Sequence, residues 1–269
     1  PARSIAYRGS VRNVPTTSER IRAGVADGVA WLTLDRPDKH NAVSVDMFEA
    51  MAGLMGQWEA DDDVRVVVVH GAGDRAFASG ADLGEIDRGV KEDAALGARR
   101  TTTLRIAKPV IAMVHGYCIG GGLMVAMEAD IRIASDDAVF GIPAASLGAG
   151  YPFEAVQRLV ALVGMAHAST IMLGGERFDA ATALSRGLVN EVVRRDALRS
   201  RVEQLAARLA GLAPLTLAAA KASIAASVGL VGASVESAQV LIDACWASED
   251  FREGRTAYAD KRPPRFRGR

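Results

Sequence analysis

The sequence predicts an α/β layered fold that ends in an all-helical region. Three observations carry this reading. Residues 64–69 and 109–114 are near-continuous apolar runs, the mark of strands buried on both faces. Strand-like and helix-like segments alternate up to about residue 195, as a layered α/β fold requires. From 196 to 260 the pattern is helical only, with Pro214 separating two helices.

The elements follow in order. Residues 1–20 are Arg- and Ser-rich, nearly free of acid and lack an apolar signal core. They faintly resemble an organelle transit peptide and are expected to form a disordered tail. Residues 21–25 and 29–34 are strand-like around Asp27-Gly28, a hairpin signal. Ser44 is a plausible N-cap for a helix with apolar positions at Val45, Phe48, Met51, Leu54, Met55 and Trp58. The strand at 64–69 leads to a small-residue loop, 71–81. A charged, Ala-rich helix is expected over 85–105. After the strand at 109–114, a glycine-rich loop, 116–122, opens a helix over 123–129. Short strands follow at 131–134 and 138–142, then helices at 154–174 and 179–187, a strand at 188–193 and a helix at 196–211. The expected organisation is a tail over 1–20, a core over 21–195 and a helical region over 196–269.

Composition narrows the function. The chain has 269 residues, enough for one large domain or two modest ones. Thirty-two basic residues balance thirty-two acidic ones, which leaves no broad basic field for nucleic acid or anionic membrane. Cys118 and Cys245 lie far apart, and the four histidines lack HExxH spacing, so no metal site is expected. No apolar run of about 18 residues is free of charge, so no membrane span is expected, and the cytoplasm is the default address.

Two motif look-alikes fail. Gly71-Ala72-Gly73-Asp74-Arg75-Ala76 fits a dinucleotide fingerprint, but Phe77-Ala78-Ser79-Gly80 prolongs the loop where that fold starts a helix. Ala144-Ala145-Ser146-Leu147-Gly148 loosely fits a nucleophile elbow, but Gly148-Ala149-Gly150-Tyr151-Pro152 is no helix start and the later Asp and His are misplaced. A third pattern survives. Phe77-Ala78-Ser79-Gly80-Ala81-Asp82-Leu83 and His115-Gly116-Tyr117-Cys118-Ile119-Gly120-Gly121-Gly122 each follow a buried strand. Residues without bulk let a ligand approach the backbone. Two such N–H groups aimed at one point make an oxyanion hole.

These strings resemble the crotonase (enoyl-CoA hydratase/isomerase) superfamily. So do Lys108-Pro109-Val110-Ile111-Ala112, Arg36-Pro37 with Asn41-Ala42, Ala129-Asp130-Ile131-Arg132-Ile133-Ala134, Phe140-Gly141-Ile142-Pro143 and Gly187-Leu188-Val189-Asn190-Glu191-Val192-Val193. The resemblance runs from about residue 21 to the C-terminus. It implies a spiral of ββα units with a C-terminal helical trimerisation region, in a homotrimer or a hexamer built as a dimer of trimers. It implies an acyl-CoA substrate, no metal, and no cofactor beyond the CoA of the substrate. The N–H groups of Ala81 and Gly121 would hold the thioester oxygen. Lys39, His40, Ala42, Ser79, Ala81, Asp82, Leu83, Gly84 and Gly121 would line the CoA site. Tyr258 and Lys261 would approach the adenine and 3′-phosphate, from the same or a neighbouring subunit.

The pattern breaks at the proton carriers. Hydratases of this family carry two glutamates where this chain has Met124 and Ala144. Neither side chain transfers protons. Tyr151 and Glu154 are the substitute candidates. Each also has a plain reading, Tyr151 as an aromatic at the core rim and Glu154 as a first-turn acid favoured by the helix dipole. Hydration, isomerisation, decarboxylation, thioester hydrolysis and non-catalytic binding of acyl-CoA all stay open at this point.

Overall fold

The computed structural model describes residues 11–82, 84 and 103–269. Its main sheet has seven strands in the order β1-β2-β3-β4-β6-β8-β11. They are β1 (Arg12–Val14), β2 (Ile21–Ala26), β3 (Val29–Leu34), β4 (Val66–Gly71), β6 (Val110–Val114), β8 (Ile131–Ser135) and β11 (Glu191–Val193). The first three pair antiparallel, and every later pair in this sheet is parallel. Strands β5 (Ala76–Ala78), β7 (Tyr117–Ile119), β9 (Val139–Gly141) and β10 (Phe178–Asp179) form a second sheet in the order β10-β9-β7-β5.

The β2–β3 hairpin turns on Asp27 and Gly28, with φ of 51° and 78°. Two left-handed residues in a two-residue loop match the twist of the flanking strands. The tail expected over 1–20 is corrected within its described part. Asn13 opposes Gly24 in β1–β2, and Ser18 is buried. A short edge strand with polar outward residues leaves no apolar alternation to read.

The main sheet is covered on both faces, which explains the unbroken apolar runs. Val67 and Val69 enter one core with helix α1 (Val45–Glu59). Val66 and Val68 enter a second core with Leu198, Val202 and Ala206 of α5 (Leu198–Ala210). Helix α1 begins after Ser44 and buries Met47, Phe48, Met51, Leu54, Met55 and Trp58. Each large side chain so buried contributes about 1.5–3 kcal/mol.

Between these helices lie α2 (Gly121–Glu128), α3 (Phe153–Gly174) and α4 (Ala180–Ser185). Gly164 breaks the helical conformation within α3. Most of the helix expected over 85–105 falls outside the described residues. Beyond residue 195 come α5, α6 (Pro214–Ser227), α7 (Val235–Ala247) and α8 (Glu249–Ala259), with no strand among the described residues. Helices α6 and α7 pack on each other as a hairpin. Lys221 ties α6 to the core by donating to Lys108 O at 3.0 Å and Asp130 Oδ2 at 2.8 Å.

Asn41 holds the turn that follows β3. Its side chain accepts from Arg36 N at 3.0 Å and donates to Ala72 O and Ala76 O at 2.9 and 2.8 Å. The residue is fully buried. Asn41→Ala strands three buried backbone groups, and urea unfolding is expected to show a loss of about 3 kcal/mol.

Glu128, at the end of α2, is 7% exposed. Burial lifts its carboxyl to about 7, against the pull of hydrogen bonds from Leu104 N and Thr103 Oγ1 and of the Arg158 charge. In the unfolded chain the same group loses its proton near pH 4.3. Folding therefore takes up a proton between these values, and this contribution to stability is lost as pH rises to about 7. Glu128→Gln keeps both hydrogen-bond positions and removes the slope. Unfolding across pH 4.5 to 7.5 is expected to show the variant gaining on the wild type as pH rises.

Candidate active site

The site forms where two loops, each leaving a short strand of the second sheet, meet side by side. The sequence predicts loops over 71–81 and 116–122. The structure shows three-residue strands inside both, too short and too small in side chain to betray an alternation. Strand β5 pairs parallel with β7, so both chains leave the sheet in the same direction. One leads to Ala81 and the other, through Gly120 at φ 50°, to the first turn of α2.

Their contact is too close for side chains. A Cβ on Gly121 would fall 2.9 Å from the Ala81 nitrogen, and one on Gly122 would fall 2.2 Å from Ala78 O. The Ala81 nitrogen therefore lies against the backbone of Gly121. Neither N–H has a backbone acceptor among the described residues. The reason is local. Ala81 forms a parallel bridge with Val43 in which Gly80 O accepts from Val43 N and Asp82 N donates to Val43 O, each at 2.9 Å. That pairing uses the neighbours of Ala81 and leaves its own N–H facing away. Gly121 opens a helix, where the first N–H groups have no intrahelical partner. The same terminus carries the positive end of the helix dipole. Two uncommitted donors side by side suit one oxygen that gains negative charge.

A second strip of chain is laced to the first loop. Ser79 N donates to His40 O at 2.9 Å, and Ser79 Oγ donates to Lys39 O at 3.4 Å. Arg36 reaches Ala42 O at 2.9 Å and pairs with Asp82 at 3.0 Å. Lys39, His40, Ala42, Ser79, Ala81 and Asp82 are thus gathered along one edge. Asp82 braces its loop through Arg36. Gly84 is exposed, and Leu83 lies outside the described residues. Tyr258 and Lys261 are exposed at the end of α8, and among the described residues neither makes a hydrogen bond or ring contact to this edge.

On the other side, Tyr151 donates its hydroxyl to Gly120 O at 3.1 Å, and burial pushes the phenol pKa up. Its proton is committed to holding the loop that presents Gly121. Glu154 follows in the first turn of α3, half-buried, and α3 packs against α2. Met124 and Ala144 are buried, with 5% and 9% exposure. Cys118 is fully buried beneath the loop, and burial raises its thiol pKa. His115, at the strand end before the glycine-rich loop, is 4% exposed. Burial and the Arg195 charge lower its pKa to about 4, and its Nε2 lacks a partner among the described residues. No group of metal-ligating side chains occurs among the described residues.

Sequence reading did not single out Arg36, Asn41 and Tyr151 as the braces of these loops, because their partners are 5 to 46 positions away. Glu128 did leave a signal, an acid inside an otherwise apolar helix.

The fold and site define a class: a mostly parallel seven-stranded sheet and a smaller four-stranded sheet, with a glycine-rich helix start lying against a small-residue loop. Comparison with known proteins agrees with this class. Residues 24–269 match the enoyl-CoA hydratase/isomerase family, and the chain belongs to it. The short-chain-enoyl-CoA hydratase of Clostridium acetobutylicum is 33% identical over 240 residues, covering 87% of this chain and 92% of its own. Carnitinyl-CoA dehydratase of Citrobacter koseri is 35% identical over 252 residues, 88% of this chain and 94% of its own. The crystal structure of an enoyl-CoA hydratase/carnithine racemase from Magnetospirillum magneticum superposes with a TM-score of 0.85 at 31% identity, over 94% of this chain and 97% of that one.

The Gly122–Ala78 contact is the most sensitive point of this geometry. Gly122→Ala must push the two loops apart, with an expected loss of about 3 kcal/mol in urea unfolding. Affinity for butyryl-CoA, measured by calorimetry, is expected to fall with it.

Proposed function

We propose that this protein is an acyl-CoA enzyme that stabilises a thioester enolate with the N–H groups of Ala81 and Gly121. The supporting observation is the contact of the Gly121 backbone with the Ala81 nitrogen, where neither N–H has a backbone acceptor among the described residues. In this reading the thioester oxygen accepts from both amides. Removing a proton from the adjacent carbon, or adding a nucleophile to a conjugated double bond, sends an electron pair to that oxygen. Each fixed donor is worth on the order of 10²–10³ in rate. Tyr151 serves as a positioning residue through Gly120, and Lys39, His40, Ala42, Ser79 and Asp82 form the CoA edge. A structure with butyryl-CoA tests the reading: its carbonyl oxygen is expected within hydrogen-bond distance of both nitrogens, and a carbonyl bound elsewhere overturns it.

Met124 and Ala144 remove the two-carboxylate route for adding water. Glu154 is the assigned proton carrier, supported by its place in the first turn of the helix that Tyr151 docks against Gly120. Hydration of crotonyl-CoA is expected to run at least about 10²-fold below that of a two-glutamate hydratase. Glu154→Gln is expected to lower isomerase turnover by a similar factor, and an unchanged rate returns Glu154 to capping. A second reading, a non-catalytic acyl-CoA binder, is favoured by the same two substitutions. Mass spectrometry of a panel of CoA esters separates the two, because a binder leaves every ester intact. Water addition, CO₂ loss and CoA release each have their own mass.

The proposal includes a homotrimer, or a hexamer made of two trimers. Its support is an apolar surface that one chain leaves open: Phe153, Met165 and Leu173 on α3, and Ile224, Val240 and Trp246 on the α6–α7 hairpin are 65–80% exposed. Patches of this kind mark protein contacts. Light scattering is expected to give three or six times the chain mass.

A further inference from the structure

The α6–α7 hairpin returns to α3 through its tip, a contact that the proposed chemistry does not use. The tip is the turn over 228–234, with Gly229 and Gly232 at φ 65° and 78° on either side of Leu230-Val231. Two left-handed glycines fold it into a compact turn. Gln157 on α3 holds that turn with both ends of its amide. Its Nε2 donates to Gly229 O at 2.8 Å, and its Oε1 accepts from Val231 N at 3.2 Å. A second strap comes from Arg105, whose guanidinium donates to Gly232 O at 2.9 Å. The seat is close: a Cβ on Gly232 would fall 2.7 Å from Arg105 Nη2.

The grip falls beside Glu154. Gln157 lies three positions further along α3, so the two side chains share one helix face, about 4.5 Å apart along the axis. Side chains of a helix lean toward its N-terminus, and Gln157 therefore reaches back over the turn that carries Glu154. Glu154 is half-buried, and its carboxylate makes no hydrogen bond or ion pair among the described residues. Leu230, between the two glycines of the tip, is half-buried and apolar. The base of the hairpin is anchored separately, where Lys221 donates to Lys108 O and Asp130 Oδ2.

We infer that Gln157 is a positioning residue, which straps the hairpin tip over the Glu154 turn and so shields the acyl end of a bound ester from water. The inference rests on the acyl-CoA reading and on the assignment of Glu154. An amide side chain suits the task because it donates and accepts at once, so one residue pins a C=O and an N–H of the same turn. With the tip strapped down, apolar surface of the acyl group stays out of water. The Glu154 carboxylate is then left to the substrate rather than to competing water. With the tip released, both advantages are lost while the base of the hairpin stays docked.

The test compares butyryl-CoA with free CoA, which lacks the acyl group. Calorimetry is run on the wild type, Gln157→Met and Gln157→Glu, with circular dichroism to check folding, and hydrogen exchange is read at the Val231 amide. Gln157→Met keeps the side-chain length and loses both hydrogen bonds. It is expected to speed Val231 exchange about tenfold, to weaken butyryl-CoA about tenfold and to leave CoA unchanged. Gln157→Glu keeps the acceptor for Val231 N, loses the donor to Gly229 O, and is expected to fall between the two. On the wild type, butyryl-CoA is expected to slow Val231 exchange and CoA to leave it alone. Faster exchange in Gln157→Met with unchanged affinity for butyryl-CoA overturns the strap and leaves the amide pair standing. Equal weakening of both ligands also overturns it, because the substitution then acts on the fold. Val231 exchange that ignores either the substitution or butyryl-CoA overturns it as well. A wild type that binds neither ligand overturns the acyl-CoA reading itself.

Discussion

The structure depends on one contact, the approach of two backbone segments at Ala78–Ala81 and Gly121–Gly122. Close-packed interiors leave no slack for an added methyl at such a point. With a Cβ on Gly122 only 2.2 Å from a carbonyl oxygen, the loops must separate or the backbone must bend. Their proximity is also what leaves two amides side by side. Packing and the proposed chemistry therefore impose the same demand on the same residues.

Everything around this contact serves to hold it. Asn41 clamps the turn after β3 to the chain entering β5, and Arg36 ties that turn to Asp82. Val43 bridges Ala81, and Tyr151 fixes Gly120. These partners come from four separate stretches of chain. A rigid scaffold is what a pair of fixed donors requires, because donors that must first reorient lose their advantage over water.

Polar groups buried near the site divide into committed and uncommitted ones. The Tyr151 hydroxyl, the Asp82 carboxylate and the Glu128 carboxyl all have partners, and each braces a loop or helix end. The Ala81 and Gly121 amides and His40 Nε2 have none among the described residues. A buried hydrogen-bonding group without a partner costs free energy, and a ligand that supplies the partner recovers it. That difference separates the groups that brace the loops from those the proposed function assigns to a ligand.

The sequence by itself determined the layered α/β class, the two strands buried on both faces, the Asp27-Gly28 hairpin, the helix after Ser44 and the switch to helices past residue 195. Each rests on near-neighbour chemistry: period, turn residues and caps act within a few positions. It also marked both small-residue loops, and it shows that Met124 and Ala144 cannot carry a proton, since identity alone decides that. Tertiary structure alone decided the rest. Strand β1 and the three-residue strands β5 and β7 are too short to show a period, and they exist because a partner strand satisfies their backbone. The bracing by Asn41, Arg36 and Tyr151 joins residues far apart in the chain. Local patterns cannot specify such meetings, because only the folded path brings those atoms within reach.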